Sequence, residues 1–361
     1  MPDKRFLSPR ARAEGFARRL GIRLPILLAP MAGACPPSLS IAVANAGGLG
    51  ACGALMMKPH EMEAWAAEFR KGSQGEFQIN LWIPEAPPVR DFELEKRQRE
   101  FLEMWGPPVP PEAGDATLPD FAAQCQAMLT AAPKVISSIM GLYPPASVSE
   151  MKAHGILWFA NATTVAEAKA AEHAGADAIV AQGMEAGGHR GAFRADQAEQ
   201  QMVGLMALLP QVVDAVALPV VATGGIADAR GIAAALILGA SAVQIGTGFL
   251  RSPEAKVHPA YADRLARTEA DDTLITRAFS GRPGRSAATA YVRAANAPDA
   301  PRPAPYPVQR GLTRAMRDAA QRAGDADRMQ LWAGQAAKLA RDHPASVIVG
   351  QLWEDTSSLL P

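Results

Sequence analysis

Cysteine is scarce in these 361 residues: Cys35, Cys52 and Cys125 are all there are, and no CxxC spacing occurs. An odd number at such spacing excludes a disulfide framework and a thiolate zinc site, and it fits a reducing compartment. HxH, HExxH and grouped carboxylate motifs are also missing, so no metal is expected. Neither sign of charge is in surplus: 36 Lys+Arg balance 36 Asp+Glu, for a formal net charge of +0. Binding by counterion release calls for a basic surplus, so a nucleic-acid partner is not expected. No apolar run reaches the length of a bilayer span, which argues against a membrane partner. The Arg-rich start, MPDKRFLSPRARAEGFARRLGIRLP, lacks the apolar core of a secretory signal, and Asp3 and Glu14 weigh against a transit peptide. It reads as a basic amphipathic helix packed on the start of the fold, with a cytoplasmic location as the default.

What is present is a globular composition, 48% hydrophobic and 20% charged, with a strand-then-helix rhythm. Short apolar strands are expected at 26–29, 49–52, 77–82, 134–139, 156–160, 178–181, 219–222 and 242–245. Helices are expected between them at 36–46, 59–70, 147–154, 165–174, 200–217 and 229–238. Eight buried strands, each followed by a helix, predict an α/β fold of the (β/α)8 TIM-barrel type. Two segments break the rhythm. Residues 84–132 make a long excursion from the carboxyl end of the third strand, with a charged helix at 91–104. A loop of that length in a compact domain is usually functional. After Pro253 the pattern loosens into a Pro-rich linker at 298–307 and helices at 312–322 and 326–343. The expected organisation is a barrel over 20–83 and 133–252. A smaller second lobe of insertions, 84–132 and 253–310, covers its mouth, and 311–361 supplies C-terminal helices that pack on the barrel.

Barrel chemistry is built at the carboxyl ends of the strands, so the residues just after each strand are the informative ones. They are Ala29-Pro30-Met31, Asn80, Gln182 with the run Gly187-Gly188-His189-Arg190-Gly191, Thr223-Gly224-Gly225, and Gly246-Thr247. Glycine pairs after the seventh and eighth strands suit a phosphate, since backbone N–H groups can approach its oxygens at a helix N-terminus. The same glycines also suit plain tight turns. His189 is the one rim side chain matched to proton transfer near neutral pH; a rim histidine can equally be exposed and idle. Gly48-Leu49-Gly50-Ala51-Cys52-Gly53 matches GxGxxG, but its glycines surround a strand and open no helix, so no dinucleotide fold is expected. Cys35 reads as a small buried residue, because no basic partner accompanies it.

At these motifs the chain resembles the nitronate monooxygenases, formerly called 2-nitropropane dioxygenases. The resemblance runs from Leu24 to about Arg293 through APMAGACPPSLSIAVANAGGLG, FQINLW, VAQGMEAGGHRG, PVVATGGIADARGIAAALILGASAVQIGTGFL and TRAFSGRPGRSA. The same blocks mark flavin-dependent enoyl reductases and quinone reductases. The resemblance implies FMN held non-covalently in the barrel mouth. Ala29, Pro30 and Met31 would line its ring system, and Asn80 and Gln182 would hydrogen-bond it. Gly187, Gly188, Gly224, Gly225, Gln244, Ile245, Gly246 and Thr247 would surround the remainder. It also implies one-electron flavin chemistry in which O2 oxidises an alkyl nitronate, or a nitroalkane, to a carbonyl compound and nitrite. His189 would serve as base or nitro-group partner. The alternative is an FMN-dependent NAD(P)H enoyl-thioester or quinone reductase, for which Arg190 and Arg194 are the available basic residues. A homodimer is left open. Tyr291 and Arg277 are further candidates for substrate contact.

Overall fold

A computed structural model describes residues 8–361; the first seven residues of the basic N-terminal segment lie outside it. The rest of that segment forms helix α1 (Pro9–Leu20), capped by Ser8, whose hydroxyl accepts from Ala11 N at 3.2 Å. Eight strands follow in parallel: β1 (Ile26–Leu28), β2 (Gly50–Gly53), β3 (Phe77–Trp82), β4 (Val135–Ile139), β5 (Leu157–Ala162), β6 (Ala178–Gln182), β8 (Val220–Thr223) and β9 (Ala242–Ile245). Between β6 and β8 lies β7 (Gly188–His189), which stays outside the barrel. The sheet runs β1-β9-β8-β6-β5-β4-β3-β2. Its seam closes where Leu27 bridges Leu49 in parallel, with Leu28 N donating to Leu49 O at 2.9 Å and Leu49 N to Ile26 O at 3.1 Å. The molecule is a (β/α)8 barrel.

Helices α2 (Pro37–Asn45), α3 (Pro59–Gly72), α4 (Phe92–Glu103), α5 (Phe121–Ala131), α6 (Pro145–Ala153), α7 (Val165–His173), α8 (Leu205–Ala215) and α9 (Ala229–Ile237) come next in chain order. All but α4 ring the barrel, and α5, at the end of the excursion, packs on α3. Alternation along each strand sends one set of side chains inward and the other outward under the helices. Inside, Leu27, Leu49, Phe159, Val180 and Val221 meet Phe16 and Leu20 of α1, and Phe16 stacks on Phe159 with centroids 5.9 Å apart. Helix α1 therefore stoppers the amino end of the barrel and leaves the carboxyl end as the open one.

The excursion helix α4 belongs to a separate apolar cluster. Leu102 and Val109 pack there with Phe279, Tyr291, Val292, Val308, Leu312 and Met316 from the last third of the chain. That last third contributes α10 (Pro259–Arg267), β10 (Thr273–Thr276), β11 (Gly284–Ala287), α11 (Ala290–Ala295), α12 (Val308–Leu312), α13 (Arg314–Ala323) and α14 (Ala345–Leu359). Helix α14 packs on α2 and α9. The antiparallel ribbon β10-β11-β7 ties this lobe to the barrel rim, with Gly284 opposite His189 and Arg285 opposite Gly188.

The helix expected over 326–343 is not there. Residues 325–344 run irregularly beside β11, with Ala287 N donating to Leu331 O at 2.9 Å and Ala333 N to Arg285 O at 3.3 Å. Pairing with the lobe overrides local helix preference, and the helix starts only after Pro344.

Candidate active site

The open end of the barrel holds a cavity of about 780 Å³, within the range of small-molecule and cofactor sites. Of the residues expected from sequence, Ala29, Pro30, Met31, Asn80, Gln182, Gly187, Gly188, His189, Gly224, Gly225, Gln244, Gly246 and Thr247 line it together. Ile245 does not. Strand alternation points Gln244 into the mouth and turns Ile245 outward into the core, where it is fully buried.

One end of the cavity is a backbone cradle. Gly224 and Gly225 take φ of 113° and 68°, left-handed values that a side chain would strain. Among the described residues none accepts a hydrogen bond from the amides of Gly224, Gly225 or Gly246. Helix α9 begins beside them, capped by Asp228, which accepts from Gly231 N at 3.0 Å. Free amides at a helix N-terminus suit a phosphate. Deeper in, the Asn161 amide nitrogen is buried without a partner and lines the same cavity. An orphaned buried donor is costly unless a ligand meets it. These features fit a phosphate-bearing ligand with polar ring atoms.

The other end surrounds His189. Its loop is clamped by Gln182, whose Nε2 donates to His189 O at 3.1 Å and whose Oε1 accepts from Gly191 N at 2.8 Å. The ring is half-buried. It lies between Trp82 (centroid 4.6 Å, edge-on) and Trp332 (4.7 Å), and Nε2 is 2.7 Å from Ser280 Oγ. Burial, with Arg282 and Arg310 close by, pushes the imidazole down to about 3, so it is neutral at any ordinary pH. His189 is thus a packed strand residue, not the flexible rim side chain that the glycines suggested. Gly187 permits this: a Cβ there would lie 2.5 Å from Gly334 N, on the irregular 325–344 segment.

The cationic neighbours differ in what they do. Arg282 is buried and paired with Glu85 at 2.7 Å. Arg310 lines the cavity, and among the described residues no carboxylate lies within ion-pair distance of it. Arg190 is buried and donates to three carbonyls: Gln182 at 2.6 Å, Gln201 at 2.9 Å and Thr163 at 3.3 Å. Arg194 pairs with Asp196 at 2.6 Å on the surface. Tyr291 is fully buried in the lobe and donates to Ala278 O at 3.1 Å, while Arg277 holds Glu199 and the carbonyls of Ala195 and Gly281. Neither Tyr291 nor Arg277 lines the cavity. Cys35 braces the first rim turn, accepting from Met31 N at 2.8 Å, and burial raises its thiol to about 12.

A family model for nitronate monooxygenase matches residues 16–355. The chain belongs to the nitronate monooxygenase family. A probable nitronate monooxygenase of Staphylococcus aureus (strain Newman) is 34% identical over 351 residues, spanning 96% of this chain and 98% of that one. The structure of a nitroalkane oxidase from Streptomyces ansochromogenes superposes with a TM-score of 0.86 at 36% identity, over 95% of this chain and 98% of its own. FabK from Thermotoga maritima superposes with a TM-score of 0.73 at 29% identity, over 96% of each chain. This nitronate monooxygenase family member is accordingly an oxidoreductase acting broadly in nitronate oxidation. Trp332, Ser280 and Arg310 were not singled out from its sequence. Ser280 falls within the block FSGRPGR, whereas Trp332 and Arg310 sit in no motif. Among the described residues no helix is long and apolar enough to cross a membrane, and no group of three or more His, Cys, Asp or Glu could hold a metal ion.

Proposed function

We propose that the barrel cavity binds FMN and that the enzyme uses O2 to oxidise alkyl nitronates, and nitroalkanes after deprotonation, to carbonyl compounds and nitrite. Gly224, Gly225, Gly246 and Thr247 would hold the phosphate, and Gly187 and Gln244 the ribityl chain. Ala29, Pro30, Met31 and Gly188 would border the ring system, with Asn80, Gln182 and Asn161 facing its polar edge. The bound flavin would supply the one-electron redox chemistry that these side chains lack.

The protein supplies charge and proton control. A nitronate is an anion and needs a counter-charge. His189 is neutral, and of the two arginines that act on it Arg282 is engaged by Glu85, so Arg310 is the cation beside the imidazole free to attract the anion; Lys256 and Arg317 add positive charge elsewhere on the cavity wall. A neutral imidazole held between two indoles can accept the α-proton of a nitroalkane, or hydrogen-bond the nitro oxygens of a nitronate. Anion binding beside it favours the protonated form, which offsets its low starting basicity. The excursion and the lobe over the mouth would then read substrate shape. The observation that carries this reading is that His189 and the glycine cradle face one cavity in a member of this family. The reductase alternative loses its residue argument, because Arg190 and Arg194 are both engaged.

The test is the visible spectrum of purified protein, taken anaerobically before and after adding ethyl nitronate. The expected result is an FMN spectrum that changes with nitronate and recovers in air, with Arg310→Met raising KM at least tenfold while retaining flavin. Flavin that ignores nitronate but bleaches with NADPH would move the assignment to a reductase. Protein that cannot be loaded with FMN would overturn the site itself.

A further inference from the structure

Beside the barrel cavity lies a second one of about 620 Å³, which the proposed chemistry does not use. Its walls come mostly from the excursion, through Pro84, Pro87, Leu118, Pro119 and Phe121, with Ile83 just before it. Leu55 and Trp82 line both cavities. Trp82 is also the edge-on neighbour of His189, and it tilts against Tyr306, centroids 5.1 Å apart, on the side-cavity wall. The two spaces therefore share the wall that flanks the candidate catalytic histidine.

The charges around the side cavity are compensated by ion pairs, and among the described residues only Arg282 Nε and Tyr306 OH of its buried side-chain polar atoms lack a partner. Arg90 holds Glu95 at 2.8 Å and also pairs with Asp115, and Arg282 holds Glu85 at 2.7 Å. The Gln124 amide donates to the carbonyls of Ala54, Leu55 and Met57. No uncompensated charge is left for an ionic ligand, and what faces the space is aliphatic, aromatic and proline surface. At the rim the exposed Pro84, Ala86, Pro87 and Leu118 add apolar surface beside the ion-paired carboxylates of Glu85 and Asp115. Exposed apolar surface around a concave apolar space marks a ligand channel.

We propose that this side cavity receives the aliphatic chain of the substrate, so that the enzyme selects longer-chain primary nitronates over short ones. The inference rests on the nitronate reading given above. The nitronate group stays beside His189 and Arg310, and the chain runs past Leu55 and Trp82 into the excursion. Each methylene moved out of water should then raise kcat/KM about fourfold until the cavity is filled.

The experiment is a kcat/KM series from ethyl to hexyl nitronate with the wild-type enzyme and two variants, Thr117→Trp and Leu118→Asp. Both positions are exposed residues of the side-cavity wall. The expected result is a rise of about fourfold per methylene in the wild type. Either variant should keep ethyl nitronate turnover within about twofold and flatten the series. A readout free of turnover accompanies it: tryptophan fluorescence, reporting through Trp82, should give 1-hexanol a Kd about sixteenfold below that of 1-butanol. A flat wild-type series with ethyl nitronate still turned over would overturn the chain site and leave the function standing. So would a slope that survives in both variants, or equal Kd values for the two alcohols. Failure to turn over any nitronate, short or long, would overturn the function and this inference with it.

Discussion

Replacing His189 by Asn should make the protein more resistant to acid, although it removes the residue proposed to handle protons. In an unfolded chain the imidazole takes up its proton near pH 6.5. In the fold it does so only at about 3, mainly because burial penalises the charged form. The folded value is the lower one. Its contribution to stability is therefore complete above pH 6.5 and is lost as the pH falls toward 3. Between pH 8 and pH 5 the unfolded state binds nearly one proton at this site while the folded state binds none, a loss of about 2 kcal/mol. Any folded value below about 4 gives the same loss at pH 5, because the imidazole is still neutral there. Against a typical total of about 5–15 kcal/mol this is easily measured. Urea unfolding of wild type and His189→Asn at both pH values is the assay, since Asn does not titrate. The wild type should lose about 2 kcal/mol more than the variant on going to pH 5. Losses agreeing within about 0.5 kcal/mol would refute the picture of an imidazole kept neutral between Trp82 and Trp332.

The same environment predicts that kcat/KM for a neutral nitroalkane shows no acidic limb near pH 6.5; a limb there would mean that His189 titrates like a solvated histidine. Gly225→Val places a branched side chain at φ 68°, with its Cβ 3.1 Å from Glu185 Cβ, at a strain cost of about 1–2 kcal/mol. Flavin affinity should fall about tenfold, read as flavin fluorescence released on dilution, and an unchanged Kd would remove Gly225 from the cradle. Arg190→Met strips the donor from the carbonyls of Gln182, Thr163 and Gln201 and should cost about 3 kcal/mol in urea unfolding. Undiminished stability would show that Arg190 does not hold the loop together.

The barrel was legible because each strand is a short apolar run punctuated by glycine, proline or a helix cap, and 77–82 and 242–245 match β3 and β9 end to end. The glycine cradle was legible for a related reason: its conformation is a local property of residues adjacent in sequence. Ile245 shows where that logic fails. It sits beside Gln244 in the chain, but the period of two along a strand sends neighbours to opposite faces. The histidine end was less legible because its surroundings are non-local. Ser280 lies 91 positions from His189 in the sequence, and Trp332 reaches the ring only because residues 325–344 pair with β11 in place of coiling into a helix. Arg190 misled for the opposite reason. It stands next to the candidate base, yet its guanidinium turns inward to backbone carbonyls, which no motif announces.

The division of labour between the barrel and the ribbon β10-β11-β7 carries a consequence for how this enzyme comes into being. Every barrel strand is complete at Ile245, whereas Ser280, Arg310 and Trp332 all follow it. Synthesis proceeds from the N-terminus, and early units fold first. The barrel strands and the glycine cradle are thus already synthesised while the histidine still lacks its hydroxyl partner, its second indole and its neighbouring cation. Shape precedes reactivity in the nascent chain, and competence arrives only when the last third docks on the rim.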